Sequence, residues 1–150
     1  MLKTERILLN TVSFDLDIEH PYEAIVSLIK KMRRSGHVTE TDQRNFSQAA
    51  VNFLNDSMRT SMCLQFEPNK IAAGIIFLST VYLQKLPQKG PMLKKYWDLL
   101  SISERSIRSI CEQVMELYNT NAAFAEMRAK LRQMGHLPRA ATAAVDSAAR

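Results

Sequence analysis

The densest group of chemically capable side chains is Asp15-x-Asp17-x-Glu19-His20, carboxylates at alternate positions followed by an imidazole. Alternating carboxylates open a calcium loop, but that loop needs a glycine at its sixth position and a bidentate glutamate at its twelfth. Those positions hold His20 and Val26, so the chain can neither turn around the ion nor close on it. His37 and His136 stand in a loop and a tail, where a solvated or structural role is the simpler reading. Gly36, Gly74, Gly90 and Gly135 are isolated, which leaves no phosphate-cradling loop, and neither G-x-S-x-G nor H-E-x-x-H occurs. No catalytic group, metal site or cofactor site is expected, and neither an enzyme nor a small-molecule substrate.

Cys63 and Cys111 sit in apolar helical settings without a C-x-x-C or a histidine at ligand spacing. Both are expected to be buried free thiols in a reducing compartment. The first ten residues, MLKTERILLN, lack the continuous apolar core of a secretory signal, and no stretch qualifies as a membrane span.

The elements that position these residues are helical. With 46% hydrophobic and 23% charged residues, four glycines and five prolines, the 150-residue chain is ordinary globular material and poor in turn formers. One domain is expected. Its organising stretch is Pro68 to Gln84, PNKIAAGIIFLSTVYLQ. Proline suits a first helical turn, and from Ile71 to Leu83 almost every position is apolar or small, so the helix must be surrounded by others.

Around it, His20-Pro21 opens a helix with Tyr22, Ile25, Val26, Ile29 and Met32 on one face and Gly36 as a left-handed stop. Lys30, Lys31, Arg33 and Arg34 crowd its last turn, where cations oppose the macrodipole. Thr39 or Thr41 can cap a second helix carrying Phe46, Ala49, Ala50, Phe53, Leu54, Ser57, Met58 and Met62, which is expected to end before Pro68. Pro91 restarts a short helix with Met92, Leu93, Tyr96, Trp97 and Leu100, its tryptophan placed against the central helix. A Ser101-x-x-Glu104 box or Ser103 caps the next, with Ile107, Ile110, Cys111, Val114, Leu117 and Tyr118 as its buried stripe. Asn121 can cap a last segment with Phe124, Met127, Leu131 and Met134, stopped by Gly135. Residues 137–150 lack apolar anchors and are expected to fray.

The net charge of +5 gathers toward the C-terminal end, where Arg128, Lys130, Arg132, Arg139 and Arg150 face only Glu126 and Asp146 after residue 119. No basic run is interleaved with aromatics, so a solvated surface is favoured over a nucleic-acid site. Upstream, Leu2, Ile7, Leu8, Leu9 and Val12 make a short amphipathic pattern, and Phe14-Asp15-Leu16-Asp17-Ile18 alternates like a strand without a second strand to pair with. It is read as an extended connector.

Four separated strings, ERILLNTVSFDLDIEHPY (5–22), NFLNDSMRT (52–60), FEPNKIAAGIIFLS (66–79) and YWDLL with the capped helix after it (96–118), resemble the second cyclin box of transcription-type cyclins, the K, L and T group. The resemblance implies an all-α, five-helix cyclin box around a central buried helix, spanning 21–118. It implies that 1–12 are the remnant of the last helix of a first cyclin box, 13–20 an inter-box linker, and 119–150 a basic helical extension with a flexible tail. By the same resemblance the function is that of a non-catalytic regulatory subunit of a cyclin-dependent kinase, incomplete in this chain, acting in transcription or RNA processing. A nuclear location is implied, with the cytoplasm as an alternative. The positions matching the family's kinase contacts are Glu5, Leu9, Phe14 and Leu16; a purely structural role, covering the edge of the box, is the competing reading for them. The alternative function is a helical scaffold or nucleic-acid-contacting repeat similar to transcription factor IIB.

Overall fold

The computed structural model describes residues 2–86, 91–119 and 121–133, with 2, 91–95, 132 and 133 described by backbone alone. The expectations for Gly90, Met134, Gly135, His136 and the tail from 137 lie outside the described residues. The described chain is helical, without a strand: α1 Leu2–Thr11, α2 Pro21–Arg34, α3 Glu40–Ser57, α4 Met62–Gln65, α5 Pro68–Tyr82, α6 Pro91–Leu100, α7 Glu104–Leu117, a 3-10 turn Ala122–Phe124 and α8 Ala125–Gln133.

The uniformly apolar stretch is the central helix. In α5 every residue from Ile71 to Val81 is buried, and α2, α3 and α7 pack around it, with α8 and α4 adding smaller contacts. Each large side chain hidden this way stabilises the fold by about 1.5–3 kcal/mol. The polar members are accommodated inside the helix: the Ser79 and Thr80 hydroxyls donate to the carbonyls of Ile75 and Ile76, both at 2.8 Å. Thr80 also accepts from the Tyr96 hydroxyl at 3.0 Å. Tyr96 is fully buried, and desolvation raises its phenol above the ordinary range. Its neighbour Trp97 lies against Phe77 of α5, ring centroids 5.4 Å apart, as its bulk demanded.

The caps resolve two open alternatives. Thr39 caps α3, its Oγ1 accepting from the Asp42 amide at 3.2 Å while donating to the Asp42 carboxylate at 2.8 Å. Lys85 Nζ reaches the same carboxylate at 2.9 Å and, with the Thr39 hydroxyl, lowers its pKa. Ser103, rather than Ser101, caps α7 by accepting from Ser106 N at 3.3 Å. Asn121 accepts from Ala123 N at 3.0 Å to start the 3-10 turn, and Gly36 takes the left-handed conformation at φ 75°.

Four expectations are corrected, one of them the place of Leu117 in the buried stripe of α7: it is 37% exposed, and Met115 is buried instead. The buried face of α2 is Pro21, Ile25, Ile29 and Met32; Tyr22 and Val26 are 40% and 50% exposed, because α5, α3 and α6 pack against a stripe narrower than the apolar one and leave its edge to solvent. The second helix ends before Pro68 as expected but does not carry Met58 or Met62: α3 ends at Ser57, and the Thr60 hydroxyl, bonded to the Ser57 carbonyl, leads into α4. Met58 is consequently exposed. In that four-residue α4 only Met62 points inward, so Cys63 is exposed, whereas Cys111 is buried as expected.

An aromatic cluster joins α3, the end of α5 and the chain after α7. Tyr118 stacks on Phe124 at 4.3 Å, Phe124 on Tyr82 at 5.9 Å, and Phe53 meets all three edge-on. The Tyr118 hydroxyl donates to Asp56 Oδ2; burial first, and then the carboxylate beside it, push its pKa up.

Candidate functional site

The four residues singled out from the sequence lie on α1 and the segment after it. Glu5 and Leu9 are one turn apart on α1, about 6 Å along its axis. Leu9 is half-buried, Glu5 exposed. The helix stops at a tight reversal: Val12 N–H donates to Leu8 O at 3.0 Å, Ser13 N–H to Asn10 O at 3.1 Å and Phe14 N–H to Leu9 O at 2.9 Å. These bonds use the last carbonyls of α1, the usual reward of a left-handed helix stop. Here, however, both residues in the left-handed region carry side chains, Ser13 at φ 56° and Phe14 at φ 55°. For a bulky aromatic that conformation costs roughly 1 kcal/mol or more.

After the reversal residues 15–20 form no helix or strand, and Asp17 N–H donates to the Asp15 carboxylate at 3.3 Å. Phe14 and Leu16 are 60% and 68% exposed. Leu9 and Phe14 are therefore joined through the backbone across the turn, with Leu16 two residues further along and Glu5 a turn earlier. The surface is larger than those four residues. Ile7, Leu8, Val12 and Ile18 are also exposed, giving an unusually apolar surface for one short segment, of the kind that marks an interaction site. The amphipathic pattern of residues 2–12 was the available signal for them, but an apolar face read from sequence is ordinarily assigned to a core.

Hydrophobic contact is the chemistry this arrangement supports. Among the described residues no group of three or more His, Cys, Asp or Glu side chains could hold a metal ion, the Asp15–Asp17–Glu19 series included. No helix among them is long and apolar enough to cross a membrane.

Comparison with known proteins bears on most of the chain, and the family match begins after the segment that carries Glu5, Leu9, Phe14 and Leu16. The sequence profile of the cyclin C-terminal domain matches residues 23–144. The chain is similar to Cyclin-T1-5 of Arabidopsis thaliana, 41% identical over 122 residues that make up 81% of this chain and 20% of that protein. It is similar to Cyclin-T1-3 of Oryza sativa subsp. japonica, 41% identical over 122 residues, 81% of this chain and 23% of that one. To Cyclin-K of Homo sapiens it is 31% identical over 121 residues, 77% of this chain and 20% of that protein. The chain thus spans about a fifth of the length of these curated relatives.

Proposed function

This chain belongs to the cyclin family through its C-terminal domain, a family of regulatory rather than catalytic subunits, and on that premise we propose that it contributes to holding a cyclin-dependent kinase in its active conformation. Transcription or RNA processing is the process and the nucleus the location, as the likeness to T- and K-type cyclins suggests.

The observation that carries this reading is the outward apolar run of α1 and its turn. A side chain such as Phe14, held at positive φ and left 60% exposed, is disfavoured both conformationally and by hydration unless a partner covers it. We assign Leu9, Phe14 and Leu16 to that contact as apolar anchors, and Glu5 as a charged group at its edge. The remaining apolar positions of α1, Ile7 and Leu8 among them, are covered in the same assembly by a further helical unit, with α1 as the last helix of a first cyclin box and 13–20 as the linker.

The test is a pull-down of purified cyclin-dependent kinases by this chain and by a form extended upstream by one cyclin box, each with and without Leu9→Ala and Phe14→Ala. Capture by the longer form that weakens in the double variant supports the reading. Capture indifferent to both residues moves the weight to a helical scaffold.

A further inference from the structure

The edge of α2 that solvent reaches runs alongside α3. Tyr22, Val26, Lys30 and Arg33 recur at four- and three-residue spacing and so share one side of α2. Both ends of this row are tied across to α3: the Tyr22 hydroxyl donates to Asn55 Oδ1 at 2.8 Å, and Arg33 Nη1 donates to Gln43 Oε1 at 3.3 Å. The two helices are therefore antiparallel along this face, and Arg44 follows Gln43 at the Arg33 end.

The face has two chemically different ends. At one, the Tyr22 ring is 40% exposed and held by its bond to Asn55, with the exposed His20 ring 6.4 Å away. At the other, Lys30, Lys31, Arg33, Arg34 and Arg44 are all exposed. Among the described residues no ion pair includes any of these five. Of the carboxylates on α2 and the first turn of α3, Asp42 is taken by Lys85 at 2.9 Å, which leaves Glu40 at the cationic end and Glu23 beside Tyr22. The macrodipole favours cations in the last turn of α2. It does not account for Arg44 on another helix, nor for an immobilised, exposed ring on the same face.

We propose that the α2–α3 face binds single-stranded nucleic acid, the cations following its phosphates and a base stacking on Tyr22. A fixed ring at the end of a cationic track suits such a strand, because every base offers a π-face and every nucleotide a phosphate. From Tyr22 the rise along α2 is about 12 Å to Lys30 and about 16 Å to Arg33, the reach of a few nucleotides. The cations are spread over two helices, which matches an extended polyanion better than a single phosphate group. An acidic peptide would use the cations but leave Tyr22 idle. None of Glu5, Leu9, Phe14 and Leu16 takes part, so the site stands or falls independently of the proposed kinase contact.

The test titrates the full 150-residue chain into a fluorescein-labelled RNA single strand of mixed sequence, about 12 nucleotides long, and follows anisotropy. Saturable binding is expected, with log K falling against log salt at a slope of roughly −2 to −3, as three or four phosphate contacts give on a single strand. Lys30→Gln with Arg33→Gln and Arg34→Gln should weaken binding at least ~10-fold and reduce that slope by about 2. Arg132→Gln with Arg139→Gln and Arg150→Gln removes the same net charge elsewhere and should leave most of the affinity. Tyr22→Leu should cost ~10-fold at an unchanged slope, and Tyr22→Phe, which keeps the ring, much less. Melting temperatures of the α2 variants should stay near the parent's, since these side chains are exposed. Equal losses from the two triple variants would mean attraction to net charge alone and overturn the proposal. Indifference to Tyr22→Leu would overturn it as well, and so would a polyglutamate peptide binding as tightly as the RNA, which would point to an acidic protein partner. Absence of saturable binding would overturn it outright.

Discussion

A methyl group placed on Gly74 would lie 2.4 Å from Cγ2 and 2.9 Å from Cβ of Ile110, so α5 and α7 meet where only a hydrogen atom fits between them. The Cys111 thiol contacts the Gly74 carbonyl from the same side, at 3.7 Å. Gly74→Ala gains about 1 kcal/mol of helix propensity, but the overlap falls on a fully buried β-branched carbon and forces α7 outward, an overpacking cost of typically 1–3 kcal/mol. Net destabilisation of about 1–2 kcal/mol is expected by urea denaturation. Ile110→Ala should be less costly in the Gly74→Ala background than alone; additive losses would place the contact elsewhere.

Ile75 and Phe77 are 0% and 3% exposed. Ile75→Asp or Phe77→Asp puts a charge where no partner can reach it and should abolish cooperative unfolding. A variant melting within a few degrees of the parent would contradict the surrounded position of α5.

The Tyr96–Thr80 bond separates two kinds of loss. Tyr96→Phe removes one donor while Thr80 keeps its bond to Ile76, so a cost of about 1 kcal/mol is expected. Thr80→Val leaves the buried Tyr96 hydroxyl without its acceptor and should cost more, roughly 1–3 kcal/mol. The two denaturation midpoints, measured side by side, decide it.

The two thiols should behave differently. With an aromatic disulfide reagent, Cys63 is expected to react in the native protein and Cys111 only on unfolding, because burial raises the Cys111 pKa, with Glu112 adding to it. The sign of the pH effect follows: the folded pKa exceeds the ordinary thiol value of 9.0, so the neutral thiol's contribution is intact below that value and is lost as pH rises through it. Tyr96 joins above its ordinary 10.0. Thermal midpoints should fall from about pH 9 upward, and Cys111→Ala should flatten the first part of that fall.

For the proposed kinase contact, interface energy concentrates in a few buried anchors. In a form carrying a first cyclin box, Leu9→Ala with Phe14→Ala should weaken kinase association by ~2 kcal/mol or more, in a variant first shown by its melting temperature to be stably folded. The 150-residue chain alone should bind weakly and give no kinase stimulation. Strong activation by it, read as phosphate transfer to a peptide substrate, would remove the proposed division of anchors.

How much of this was legible depends on whether a property is local. The helical class, the central place of α5, the starts at Pro21, Pro68 and Pro91 and the stop at Gly36 rest on apolar periodicity and on single-residue backbone preferences, which act within one turn of chain. The strings at 5–22, 52–60, 66–79 and 96–118 carried the family as well. Tertiary packing decided the rest. Periodicity marks an apolar side of α2 but not its width, so Val26 and Tyr22 read as core and lie at the surface, beyond the reach of α5. Cys63 has apolar neighbours in sequence, yet the short α4 turns only Met62 inward. Gly74 was visible as a small residue, but that its missing methyl is replaced by Ile110 depends on how α5 crosses α7. The apolar pattern of α1 read as the end of a longer structure; its exposure, and the placing of Phe14 against the Leu9 carbonyl, were decided in three dimensions, because an amphipathic pattern specifies a face to be covered and leaves open what covers it.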